Sequence, residues 1–67
     1  MKKTEEYQFL VGDTVCANIY GKIGIGKVLE RVRDGITNSN KYYVEFEFAN
    51  NFVSKVWIFE SSLVKVN

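Results

Sequence analysis

From Phe9 to Val66 the chain reads as short runs in which apolar and polar residues alternate, separated by glycine, asparagine and aspartate. In Thr14 to Tyr20 the residues Val15, Ala17 and Ile19 alternate with Thr14, Cys16, Asn18 and Tyr20. That period of two predicts a strand with one face buried. Val11-Gly12-Asp13-Thr14 before it is expected to be a tight turn. The segment from Gly21 to Gly26 carries glycine at 21, 24 and 26, and is expected to be a bend or bulge rather than the middle of a strand. Lys27 to Arg33 then forms a second strand with Val28 and Val32 facing one way. Asp34 to Asn40 is a loop opening on an Asp-Gly turn signal.

The alternation is clearest in Lys41 to Phe48. Tyr42, Val44, Phe46 and Phe48 share one face, and Tyr43, Glu45 and Glu47 the other. Ala49-Asn50-Asn51 supplies a hairpin turn. Phe52 to Phe59 is a fourth strand. Glu60-Ser61-Ser62 fits a single 3₁₀ turn, and Leu63 to Val66 a short closing strand. No window shows helical periodicity beyond about two turns. Residues 1 to 8 are polar and expected to be frayed, and 9 to 67 to form one all-β domain. In so small a chain, short strands with regular turns predict a closed five-stranded barrel, since closure removes exposed edges.

Gly12-Asp13-Thr14-Val15, the glycines at 21, 24 and 26, and then Val28 and Val32 resemble the KOW/Tudor-like branch of SH3-like barrels. In that family a Gly-Asp-x-Val entry starts the first strand and a glycine-rich bend leads into Gly-x-Val, matched here by Gly26-Lys27-Val28. Ile58-Phe59-Glu60-Ser61-Ser62-Leu63-Val64 looks like the family's strand, 3₁₀ turn and last strand. The resemblance covers residues 9 to 66 and implies an SH3-like barrel. It carries an association with ribosomal and transcription proteins by analogy alone. Small bacterial and prophage proteins look similar.

Composition narrows the function classes. Nine basic and eight acidic residues leave a net charge of +1, without the basic excess of a dedicated nucleic-acid binder. No run approaches a membrane span, and Met1 to Glu6 lack the apolar stretch of a signal peptide. A lone cysteine, Cys16, favours a reducing cytoplasm. Histidine is absent, and with it the usual general base, His-activated nucleophiles and His-based metal sites. Cys16, mid-strand, reads as a small packed residue rather than a nucleophile. Glu45 and Glu47 stand roughly 7 Å apart on one strand face, which suits an exposed sheet surface better than paired-carboxylate chemistry. The glycine segment lacks a P-loop's Lys-Ser/Thr and following helix. The chain is therefore read as non-catalytic, with no cofactor or metal.

Two surfaces remain as candidates. With Val56 and Ile58 inward, Val53, Lys55, Trp57 and Phe59 point outward. Together with Tyr43 they would make an aromatic platform for a protein partner. The competing reading packs these rings into the core or under an N-terminal arm bearing Tyr7 and Phe9. On the second strand Lys27, Arg31 and Arg33 share parity opposite Val28 and Val32. With Lys22 and Tyr20 they would form a basic row for nucleic acid, unless Glu45 and Glu47 alongside neutralise it. A third reading is self-association through an exposed strand edge.

Overall fold

The computed structural model describes residues 7–66. Five strands, β1 (Thr14–Ile19), β2 (Lys22–Asp34), β3 (Ser39–Glu47), β4 (Val53–Phe59) and β5 (Val64–Lys65), form one antiparallel sheet in the order β4-β3-β2-β1-β5. A 3₁₀ turn, Glu60–Ser62, links β4 to β5, as its composition predicts.

Turn chemistry places the strands. Gly12 has φ +97° at the third position of a turn closed by the Asp13 N–H to the Leu10 carbonyl (3.0 Å). That turn is fastened to β2 by Gly12 N–H to the Val28 carbonyl (2.8 Å). β1 and β2 meet in a two-residue hairpin in which Tyr20 (φ 53°) and Gly21 (φ 83°) both adopt positive φ. The chain turns there and β2 begins at Lys22, five residues earlier than the glycine spacing implies. Gly24 and Gly26 lie inside β2, on its buried face. A Cβ on Gly24 would stand 2.8 Å from the Phe48 ring, and one on Gly26 would collide with the Glu45 carbonyl. These glycines let β2 pass close over β3 rather than bend away from it.

The buried face carries Val15, Ala17, Val28, Tyr42, Val44 and Phe46, closed off by Phe9 and Leu63. Ile19, Phe48, Val56 and Ile58 pack around it. This is the alternation read from β1 and β3, and it is the hydrophobic effect that selects the register.

Two expectations change. The sheet is not closed: β4 and β5 lie at opposite edges, and β5 pairs with β1 only through Val15–Lys65 and Cys16–Val64. Among the described residues, no strand lies beside the outer edge of β1 beyond Cys16, because two residues of β5 reach no further. The expected closed barrel is thus an open, five-stranded sheet in this structure. Tyr7 and Gln8, placed in a frayed tail, are docked. Tyr7 packs edge-on to Tyr42 with Arg31 over its ring at 4.5 Å, and Gln8 N–H reaches the Glu60 carboxylate (3.0 Å). The rest of that expected tail lies outside the described residues.

Candidate functional site

The solvent face of the sheet is built from odd-numbered residues of β3 and β4 and their cross-strand neighbours. Tyr43 stands opposite Trp57, Glu45 opposite Lys55, Lys41 opposite Phe59 and Glu47 opposite Val53. Each row continues onto β2, with Glu30 beside Tyr43, Lys27 beside Glu45, Val32 beside Lys41 and Ile25 beside Glu47. Trp57 is 46% exposed and Phe59 39%. The Tyr43 and Trp57 rings lie 5.1 Å apart at 35°, and the Lys41 ammonium sits 5.6 Å from the Phe59 centroid.

Trp57 and Phe59 are therefore outside the core, as the parity of β4 requires. No N-terminal arm covers them among the described residues, since Tyr7 and Phe9 pack against Tyr42 on the opposite face. The four residues Tyr43, Lys55, Trp57 and Phe59 come together on one surface. Its charges alternate in sign along the Lys55–Glu45–Lys27 row. Among the described residues the ion pair within contact distance is elsewhere, Lys65 with Asp13 at 3.8 Å. The neutralisation is thus one of neighbouring fields rather than of direct contacts.

The basic row does not form. The β2–β3 register shifts between Val28 and Glu30, with Leu29 as the extra residue. A bulge of one residue inverts the faces beyond it. Val32 accordingly lies on the solvent face, opposite to Val28. Lys27 stays outward, but Arg31 and Arg33 turn to the side of Tyr42 and Asn40. Arg31 donates to the Phe9 carbonyl (3.1 Å) and Arg33 to Asn40 Oδ1 (3.2 Å). Tyr20 and Lys22 occupy the β1–β2 hairpin, where Tyr20 is 99% exposed. The five residues of the nucleic-acid reading are therefore distributed over three places.

Two features escaped the sequence pattern. One is a groove of about 290 Å³ between the hairpin ends, lined by Ile19, Tyr20, Phe48, Phe52 and Val56 with Lys22, Asn50 and Ser54 at its rim. The Ala49-Asn50-Asn51 turn marks one bank, but the pattern puts Tyr20 in a strand and Gly21 at the start of a longer bend, and nothing in the sequence places the two hairpins side by side. The other is a polar cluster at the opposite end. The Glu60 carboxylate accepts from the Tyr42 hydroxyl, from Asn40 Nδ2 (3.1 Å) and from Gln8 N–H (3.0 Å). Burial, then the Glu60 acceptor and its charge, push the Tyr42 hydroxyl up to about 12. Burial pushes Glu60 upward, but the hydrogen bonds from Tyr42, Gln8 and Asn40 and the Arg33 charge outweigh it and hold the carboxyl below its ordinary value. Every group here is engaged within the protein, so the cluster anchors the segment Tyr7 to Phe9, an N-terminal strap across the buried face. Among the described residues no group of three His, Cys, Asp or Glu could hold a metal, and no helix is long and apolar enough to cross a membrane.

Comparison with protein-family models, curated proteins and solved structures gives no match.

Proposed function

We propose that the chain is a non-catalytic binding module, an opened member of the SH3-like, KOW-type class, that engages a protein partner through Tyr43, Lys55, Trp57 and Phe59. The strand order, the 3₁₀ turn before the last strand and the Gly-Asp entry support the class. The observation that carries the function is the half-exposed Trp57, stacked beside Tyr43 on a solvent face that the core does not use. Aromatic side chains of this kind are the usual anchors of protein interfaces. The alternating charges around them give no net field for a polyanion, so a protein segment of mixed charge offering an apolar side chain to the Tyr43–Trp57 pair fits the face better.

The test is affinity capture from the native cell with the wild-type chain and Trp57→Ala, each with and without nuclease. A protein recovered despite nuclease and lost with a folded Trp57→Ala variant supports the reading. Recovery that nuclease abolishes, or that Trp57→Ala leaves unchanged, overturns it.

A further inference from the structure

The two edges of the sheet are unequal. β5 ends one side with two residues, whereas β4 ends the other with seven, in unbroken register and without proline. Proteins ordinarily blunt such an edge with proline, a bulge or several charges. β4 has one charge, Lys55, and alternates Val56 and Ile58 with Trp57 and Phe59.

The hairpin fixes which main-chain groups this edge offers. Phe48 N–H bonds the Phe52 carbonyl (2.9 Å) and Asn51 N–H the Phe48 carbonyl (2.9 Å). Antiparallel ladders alternate bonded and non-bonded pairs, so Phe46–Ser54, Val44–Val56 and Tyr42–Ile58 are the bonded ones. The N–H and C=O of Val53, Lys55, Trp57 and Phe59 therefore point away from β3. Below this edge a hollow of about 240 Å³, lined by Asn18, Ile19, Tyr20, Val56, Trp57 and Ile58, separates β4 from the end of β1.

We propose that the edge of β4 pairs antiparallel with β4 of a second copy of this chain, about a two-fold axis at Val56. That register places Lys55 opposite Trp57 of the second copy, Trp57 opposite its Lys55, and Val53 opposite its Phe59. All outward N–H and C=O groups then meet partners of matching parity. Each lysine faces an indole, an arrangement that cations and aromatic rings favour, and no like charges meet. A shift of two residues one way sets Lys55 against Lys55; the other way it shortens the ladder and loses the Lys–Trp match. The inward Val56 and Ile58 of the second copy enter the hollow on the side of Ile19, Val56 and Ile58. A net charge of +1 offers little self-repulsion. The main-chain pairing uses the edge of β4, but its Lys55–Trp57 contacts lie on the solvent face, so the dimer shares those two side chains with the proposed partner site.

Lys55→Pro isolates this edge, because the Lys55 N–H makes no bond to β3 and proline is tolerated where a strand's N–H faces solvent. Sedimentation equilibrium up to about 1 mM, which detects even weak association, is expected to show a wild-type mass rising to twice the monomer. Amide exchange at Lys55 and Trp57 should slow with concentration while Val11, in the turn before β1 and away from this edge, is unaffected. Lys55→Pro should weaken association about tenfold or more, and Lys55→Arg should preserve it. Should Lys55→Pro not fold, Lys55→Glu, which sets a carboxylate against the indole, must weaken association in its place. A wild-type chain that is monomeric throughout, a folded Lys55→Pro or Lys55→Glu variant that pairs like wild type, or masses beyond the dimer would each overturn the proposal.

Discussion

Replacing Tyr42 by phenylalanine tests how the N-terminal strap is held, because it removes one oxygen and leaves the ring. The ring is fully buried, with Phe9 at 5.3 Å and Tyr7 at 6.2 Å edge-on to it, and those contacts survive. The lost hydroxyl donates to Glu60 and accepts the Phe9 N–H at 3.3 Å. A hydrogen bond to a charged group contributes roughly 1.5–3 kcal/mol, and the Phe9 N–H loses its acceptor as well, so a loss of about 2–3 kcal/mol is expected. At about 0.05–0.15 kcal/mol per residue the whole domain has only some 3–10 kcal/mol. Urea denaturation followed by circular dichroism reads this directly. The melting temperature should fall by about 10–20 °C at roughly 4–8 °C per kcal/mol.

The pH dependence separates this account from a simple packing defect. Glu60 is held below its ordinary value of 4.5 in the folded protein, so it contributes stability that is complete above that value and lost as pH falls through the folded one. Tyr42 is one of the groups holding it down. The gap between wild type and Tyr42→Phe should therefore be widest near neutrality and narrow as pH falls below about 4. Tyr42 itself is raised, to about 12, so wild type alone should lose its contribution as pH climbs from 10 through 12. A cost under about 0.5 kcal/mol, below that of a single net hydrogen bond, would refute the reasoning. A gap independent of pH would do the same.

Gly26→Ala should destabilise by about 1–3 kcal/mol, as overpacking does, because its Cβ meets the Glu45 backbone, which cannot step aside. Gly24→Ala should cost less, since the atom it meets is the movable Phe48 ring; thermal melts of the two variants give the order. Tyr20→Asn should stabilise by about 0.5–1 kcal/mol in denaturant titrations, since asparagine tolerates the positive φ that tyrosine resists.

Strand content was legible because burial on one face leaves a period of two wherever the ladder is regular. β1 and β3 are such cases, and Val15, Ala17, Tyr42, Val44 and Phe46 could be assigned inward from the letters alone. On β4 the same parity grouped Trp57 with Phe59 but left both faces open, because each carries apolar residues; the structure puts these two outward. Gly24 and Gly26 misled because glycine serves both turns and close strand packing. Only the partner atoms, Phe48 and the Glu45 carbonyl, distinguish the two, and they lie some twenty residues away in sequence. Closure of the barrel was illegible for a related reason. It depends on whether the edge strands β4 and β5 pair with each other, and the alternation within each strand does not report which strands become neighbours.

Leu29 shows how much of the surface can hang on one residue that pattern reading passes over. Counting by twos from Lys27 gives Arg31 and Arg33 on its face; the bulge adds one residue and sends both arginines to the other side. That inversion removes the basic row from the solvent face, where it would have competed for the surface around Tyr43 and Trp57. It also delivers Arg31 to Phe9 and Tyr7, and Arg33 to Asn40 beside Glu60. The same event thus strips the outer face of net charge and supplies the cations that tie the N-terminal strap across the inner one. A neutral aromatic face on one side and a strapped core on the other follow together from a single inserted leucine.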